Sequence, residues 1–140
     1  MKDGLDRFLS AQEKSYQTAL QEIQEGQKRS HWMWYIFPQI AGLGRSQTAQ
    51  YYAIKDINEA KDYMKNKTLR KNLLEISQTL LEIKSSDPVR VMGWPDDMKL
   101  KSSMTLFLMA APECDVFQKV LDKFFHGEKD ENTLRILKHD

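Results

Sequence analysis

Apolar residues recur every three or four positions along nearly the whole of this 140-residue chain, a period that admits helices and little else. Leu5, Phe8, Leu9, Gln12, Tyr16, Ala19, Leu20 and Ile23 form the first stripe, ended by Gly26 where a left-handed C-terminal cap fits. Ser30 is expected to cap a short second helix, His31 to Phe37. Pro38 stops it, because the residue before proline avoids helical geometry. Ser46 starts a third helix through Tyr51, Tyr52 and Ile54, and Asn58 a fourth over Glu59 to Lys65. Leu69, Leu73, Leu74, Ile76, Leu80, Leu81 and Ile83 mark a longer helix that ends near Ser85 to Pro88. Asp96 or Asp97 is expected to cap the helix of Leu100, Met104, Phe107 and Leu108. Val116, Val120, Leu121, Phe124 and Phe125 stripe the next, closed by Gly127, and Asp130 or Asn132 starts the last. Val89-Arg90-Val91-Met92 alone reads as a strand; a lone strand makes no sheet, so it is expected to be extended loop. The fold class expected is all-α: one domain, residues 1–140, of about six to eight helices around a central aromatic-rich helix.

Composition narrows the function. With 21 Lys and Arg against 20 acidic residues, the formal charge is +1, which argues against general nucleic-acid binding and against a membrane-surface protein. Met1 to Asp6 has no basic region leading into an apolar stretch, and Trp32–Phe37 and Thr105–Ala111 are too short to span a bilayer. One cysteine, Cys114, makes no intrachain disulfide, and a cytoplasmic location is expected. His31, His126 and His139 lack metal-ligand spacing, so neither metal nor cofactor is expected. Oligomeric state is not set by the sequence.

Two segments carry chemistry. In Ser30 to Ser46, Trp32, Trp34, Tyr35 and Phe37 crowd one short helix, which must be buried almost all round or offer one face to a ligand. His31 and Gln39 flank the block. Gly42-x-Gly44-Arg45-Ser46 then leads into a helix start, where close backbone approach, unpaired amides and a guanidinium suit an anion. The plainer reading is a core helix followed by a tight turn. In Gly93 to Phe107, Asp96 and Asp97 stand beside Lys99 at a helix start. There they can position a water or a ribose hydroxyl, or simply meet the helix dipole. Ser102 and Ser103 at mid-helix mark close packing or an inward polar contact.

The run Ser30 to Ser46 is similar to the signature of a bacterial family catalogued as Domain of Unknown Function 1810. So are Tyr52-Ala53-Ile54, Glu59-Ala60 and Asp97-x-Lys99-Leu100-x-Ser102-Ser103-Met104-Thr105-Leu106-Phe107. The resemblance runs from Phe8 to about Leu134 and implies a compact, mainly helical, cytoplasmic protein with no established reaction. Members are sometimes labelled calpastatin, though nothing here resembles a protease-inhibitory repeat. Around Gly93 to Leu100 the order of residues looks somewhat like the helical NADAR family, associated with cleaving N-glycosidic bonds in ADP-ribose-type and riboflavin-pathway compounds. That family's Trp-Gly-x-Gly run is not recovered, since Gly93-Trp94 stands in reverse order.

Two functional readings remain open. In the first, the two segments form one pocket that binds or hydrolyses a phosphorylated, nucleotide-like or ADP-ribose-type metabolite. Trp32 or Trp34 stacks the base, Gln39, Gly42, Gly44, Arg45 and Ser46 hold it and its phosphate, and Lys99, Ser102 and Ser103 assist. Asp97, Asp96 and His31 are the catalytic candidates. In the second, the protein is a non-catalytic interaction or structural module whose aromatic helix is core and whose aspartates are caps.

Overall fold

The computed structural model describes residues 4–139, and among them nine helices and no strand are found. They are α1 (Asp6–Gln24), α2 (Met33–Ile36), α3 (Gln47–Tyr52), α4 (Ile57–Lys65), α5 (Lys67–Glu82), α6 (Pro88–Met92), α7 (Asp96–Ala110), α8 (Val116–Phe125) and α9 (Glu131–Lys138). The ninth helix beyond the expected six to eight is α6, in the stretch read as extended loop. Asp87 accepts from the amides of Val89 and Arg90, and Pro88 fills the first helical position, where its missing N–H costs nothing.

Several caps differ from expectation. Ser46 does cap α3 through the Ala49 amide, and Gly26 turns left-handed (φ +83°) after α1. The fourth helix is capped by Asp56 rather than Asn58, because Asp56 reaches the Glu59 amide. Asp96 and Asp97 cap nothing: both lie inside the first turn of α7, where their charge opposes the positive end of the helix dipole. His126 itself takes the left-handed cap position after α8, with Gly127 following in the same conformation. Ser30 does not cap α2, whose N-cap position is Trp32.

The central helix is α7, not the aromatic one. Leu100 is buried, and from Ser102 through Ser103, Met104, Thr105 and Leu106 to Phe107 every residue is buried, so α7 has no solvent face over those six residues. It packs against α8, α4, α6 and α9, while α1 lies along α5 and supports α2. The aromatic helix α2 is a single turn. Buried Gln12 on α1 fixes it, donating to the Tyr35 carbonyl (2.8 Å) and to the Tyr63 hydroxyl (2.9 Å) and accepting from Asn72 (3.0 Å). Every polar atom of that amide is used, which makes it a defined joint between α1, α2, α4 and α5 rather than a buried defect.

Candidate functional site

The motif Ser30–Ser46 divides into two halves with different tasks. The first half is wired to Glu22, a buried carboxylate on α1. Glu22 accepts from the amides of Arg29 (2.7 Å) and Ser30 (2.9 Å), from the Ser30 hydroxyl (2.5 Å) and from the Trp32 indole (3.0 Å). Burial alone would raise its pKa, but these donors outweigh it and hold the group down at about 2. Ser30 is therefore spent on Glu22 and cannot cap α2. Trp32 is 1% exposed and lies in the core, so it is unavailable as a stacking surface.

The second half faces a cleft of about 400 Å³. One wall is Trp34, Gln39 and the loop Leu43–Ser46 with Ala49; the other is Pro95 and, on α7, Met98, Lys99 and Ser102; Asp130 and Asn132 at the start of α9 close it. Two segments about sixty residues apart in sequence thus meet in one cavity. The loop is pinned by the pair Ile40 and Ile54: Ala41 donates to the Ile54 carbonyl and Ile54 to that of Gln39, both at 2.8 Å. Gly44 serves packing, since a Cβ there would sit 2.5 Å from the Ala49 Cβ. Gly42, at φ +105°, makes the turn.

The cleft carries two cations, Arg45 and Lys99, and one carboxylate, Asp130, whose Oδ2 is taken up by the Thr133 amide and hydroxyl. Lys99 lies over the Trp34 ring, its Nζ 5.5 Å from the centroid, and pairs with Asp96 at 3.5 Å. Asp96 is shared with Lys28 at 2.9 Å, and Lys28 in turn sits over the Trp32 ring at 5.0 Å. A charge chain therefore ties the Glu22 half of the motif to the cleft half. Arg45 is exposed at the mouth, and its guanidinium meets no protein acceptor among the described residues. Ser102 returns its hydroxyl to the Met98 carbonyl (3.2 Å).

Of the residues nominated from sequence, Trp34, Gln39, Gly44, Arg45, Ser46, Lys99 and Ser102 line the cleft. Trp32, Gly42, Ser103, His31, Asp96 and Asp97 do not. His31 is on the surface; Ser103 and one oxygen of Asp97 are buried without a hydrogen-bond partner. Sequence reasoning missed Asp130 and Asn132 as lining groups. Their signal was that of a helix start, which Asp130 is, accepting from the Thr133 amide and hydroxyl. What brings that start to the cleft is a long-range bond, the Asp130 amide donating to Thr105 Oγ1 at 2.9 Å.

Comparison with known proteins agrees with the principal resemblance. The profile of the family described as "Protein of unknown function (DUF1810)" matches residues 2–137. The chain is also similar to the crystal structure of the conserved hypothetical protein Rv1873 from Mycobacterium tuberculosis. The two share 37% identity over 96% of each chain, with a TM-score of 0.94. No functionally curated protein matches. The likeness to the NADAR family is not shown. No described helix is long and apolar enough to cross a membrane.

Proposed function

The chain belongs to the DUF1810 family, and on that premise we propose that it binds a phosphorylated, ring-bearing, nucleotide-like metabolite in the cleft of Trp34, Arg45 and Lys99. The observation that carries this reading is the juxtaposition itself: an aromatic face with a lysine above it and an uncommitted arginine at the mouth. A planar ring stacks on Trp34, and a phosphate takes Arg45 in two-pronged contact with Lys99 as a second charge. Gln39 and Asn132 offer amide donors and acceptors for the ring edge or a sugar hydroxyl. Asp97 is absent from the lining and Asp96 is held between two lysines, so the proposal stops at binding. A cytoplasmic location goes with it, since the unpaired Cys114 suits a reducing compartment.

A thermal-shift screen with AMP, ADP-ribose, NAD, flavin precursors and inorganic phosphate tests it. A ligand at about a hundred times its Kd adds about 3 kcal/mol and raises Tm by several degrees. That shift is expected to vanish in Arg45→Ala and to survive in His31→Ala, which lies outside the cleft. A null result across the panel would remove the proposal. The exposed Trp94, next to the lining residue Pro95, and the exposed Met98 would then favour a protein-interaction module.

A further inference from the structure

A second groove lies on the other side of the α2–α3 segment. Trp34 faces the cleft described above, and the next residue, Tyr35, faces this groove of about 580 Å³. Its floor is one face of α1, with Arg7, Ser10, Ala11 and Lys14 at the three- and four-residue spacing that aligns them. Its wall is a run of tyrosines, Tyr51, Tyr52 and Tyr35, at successive centroid spacings of 4.8 and 5.2 Å. Tyr51 is 61% exposed and is held edge-on against Tyr52.

The groove is rich in groups that are placed but unused. Among the described residues the hydroxyls of Tyr51 and Tyr52 meet no hydrogen-bond partner, and Lys14 and Asp6 form no ion pair. Burial, with help from Tyr51 and Tyr35, raises the Tyr52 pKa, so its hydroxyl stays a donor. Arg7, by contrast, is committed to the Ala53 carbonyl (2.7 Å) and to Glu59 (2.9 Å) and serves as framework. Tyr35 closes one end by donating to Ser15 at 2.9 Å.

We propose that this groove binds an extended, proline-rich peptide segment with a basic side chain at one end and an acidic one at the other. Tyrosines packed edge-on and tilted against one another, facing the serines of α1, give rigid, amphipathic contact at low entropic cost. Proline-rich segments enter such grooves already extended, their carbonyls free to accept from phenols. The charges fix the register. Asp6 and Lys14 are eight residues apart on α1, roughly 12 Å, which is spanned by about four residues of polyproline II helix. The acidic end pairs with Lys14 and the basic end with Asp6.

The test uses the full chain labelled with 15N and three synthetic nine-residue peptides. The first carries prolines at every third position, with one Glu and one Arg set four residues apart between them to match the spacing of Lys14 and Asp6. The second has Arg at both of those positions, and the third has the prolines of the first replaced by alanine. The mixed-charge peptide is expected to shift the amides of Ser10, Lys14, Tyr51 and Tyr52 and to bind tightest of the three. Tyr51→Ala, at an exposed position that the fold does not need, should weaken it at least about tenfold. Lys14→Glu should reverse the ranking, making the double-Arg peptide the better ligand. No shift of those amides at millimolar peptide overturns the proposal. So does binding that ignores both substitutions, or the same shifts produced by AMP or a simple sugar and not by peptide.

Discussion

Trp32 and Trp34 stand two residues apart in one aromatic run and have opposite fates. Trp32 is buried, its indole donating to Glu22 and its ring covered by Lys28; Trp34 is half-buried and lines an open cleft with Lys99 over its face. The first half of the motif is saturated: every donor near Glu22 has found it. The second half carries cations and amides with capacity to spare. Saturation is what a structural joint needs, and spare capacity is what a binding site needs, so one dense motif serves both ends by dividing in the middle.

The division breaks first, and hardest, at Glu22. Glu22→Ala strands two backbone amides, a serine hydroxyl and an indole N–H in a buried setting, and is expected to cost about 3–5 kcal/mol in urea unfolding. A cost under about 1 kcal/mol would mean that water replaces the carboxylate freely and that the joint is not one. The same carboxylate leaves a signature in pH. Its folded pKa lies near 2, below the ordinary 4.5, so the stability it contributes is present above pH 4.5 and is lost as pH falls through 2. That loss amounts to about 3 kcal/mol. Glu22→Gln should flatten the wild-type decline between pH 5 and 2; parallel curves would assign acid lability to other carboxylates.

Trp32→Phe follows, at about 2 kcal/mol, since it removes one charge-assisted hydrogen bond and part of a core side chain. Asp96→Asn tests the link between the halves. It leaves an amide acceptor beside Lys28, whose side chain is only 8% exposed, and is expected to cost about 1 kcal/mol. Because it also releases Lys99 from its carboxylate, it should tighten anion binding in the cleft. Weaker binding would show instead that Asp96 orients Lys99 over Trp34.

How much of this was legible in the sequence depends on the range of the interactions. Local signals spoke clearly: Ser46 as a cap, Gly26 as a left-handed stop, the apolar stripes of α1, α5 and α8. The Asp87-Pro88 pair was an equally local signal, outweighed by the β-branched look of Val89 and Val91. Glu22 also left a trace, as a charge beside the apolar residue Ile23. Nothing local, however, tells which side chain ten residues away will meet it. Trp32 meets Glu22 of the preceding helix, whereas the arrival of Lys99 over Trp34, and of Asp130 and Asn132 at the cleft, rests on contacts made only after the chain returns through α7 and α9. Sequence placed the two motif segments in one pocket as a conjecture, and α7 brings them together through Met98, Lys99 and Ser102.

The smallest stability effect carries the sharpest distinction. Trp34→Phe keeps an aromatic face in the cleft wall and touches no hydrogen bond, so its unfolding free energy should stay within about 0.5 kcal/mol of the wild type. If Trp34 is a stacking surface, the smaller ring should weaken a nucleotide-like ligand severalfold while leaving inorganic phosphate unaffected, because phosphate needs only Arg45 and Lys99. Arg45→Ala should weaken both. A Trp34→Phe variant as destabilised as Trp32→Phe would place Trp34 in the framework after all. The division of the motif would then have to be drawn further along the chain, between Phe37 and Gln39, with Arg45 and Lys99 left to act on an anion alone.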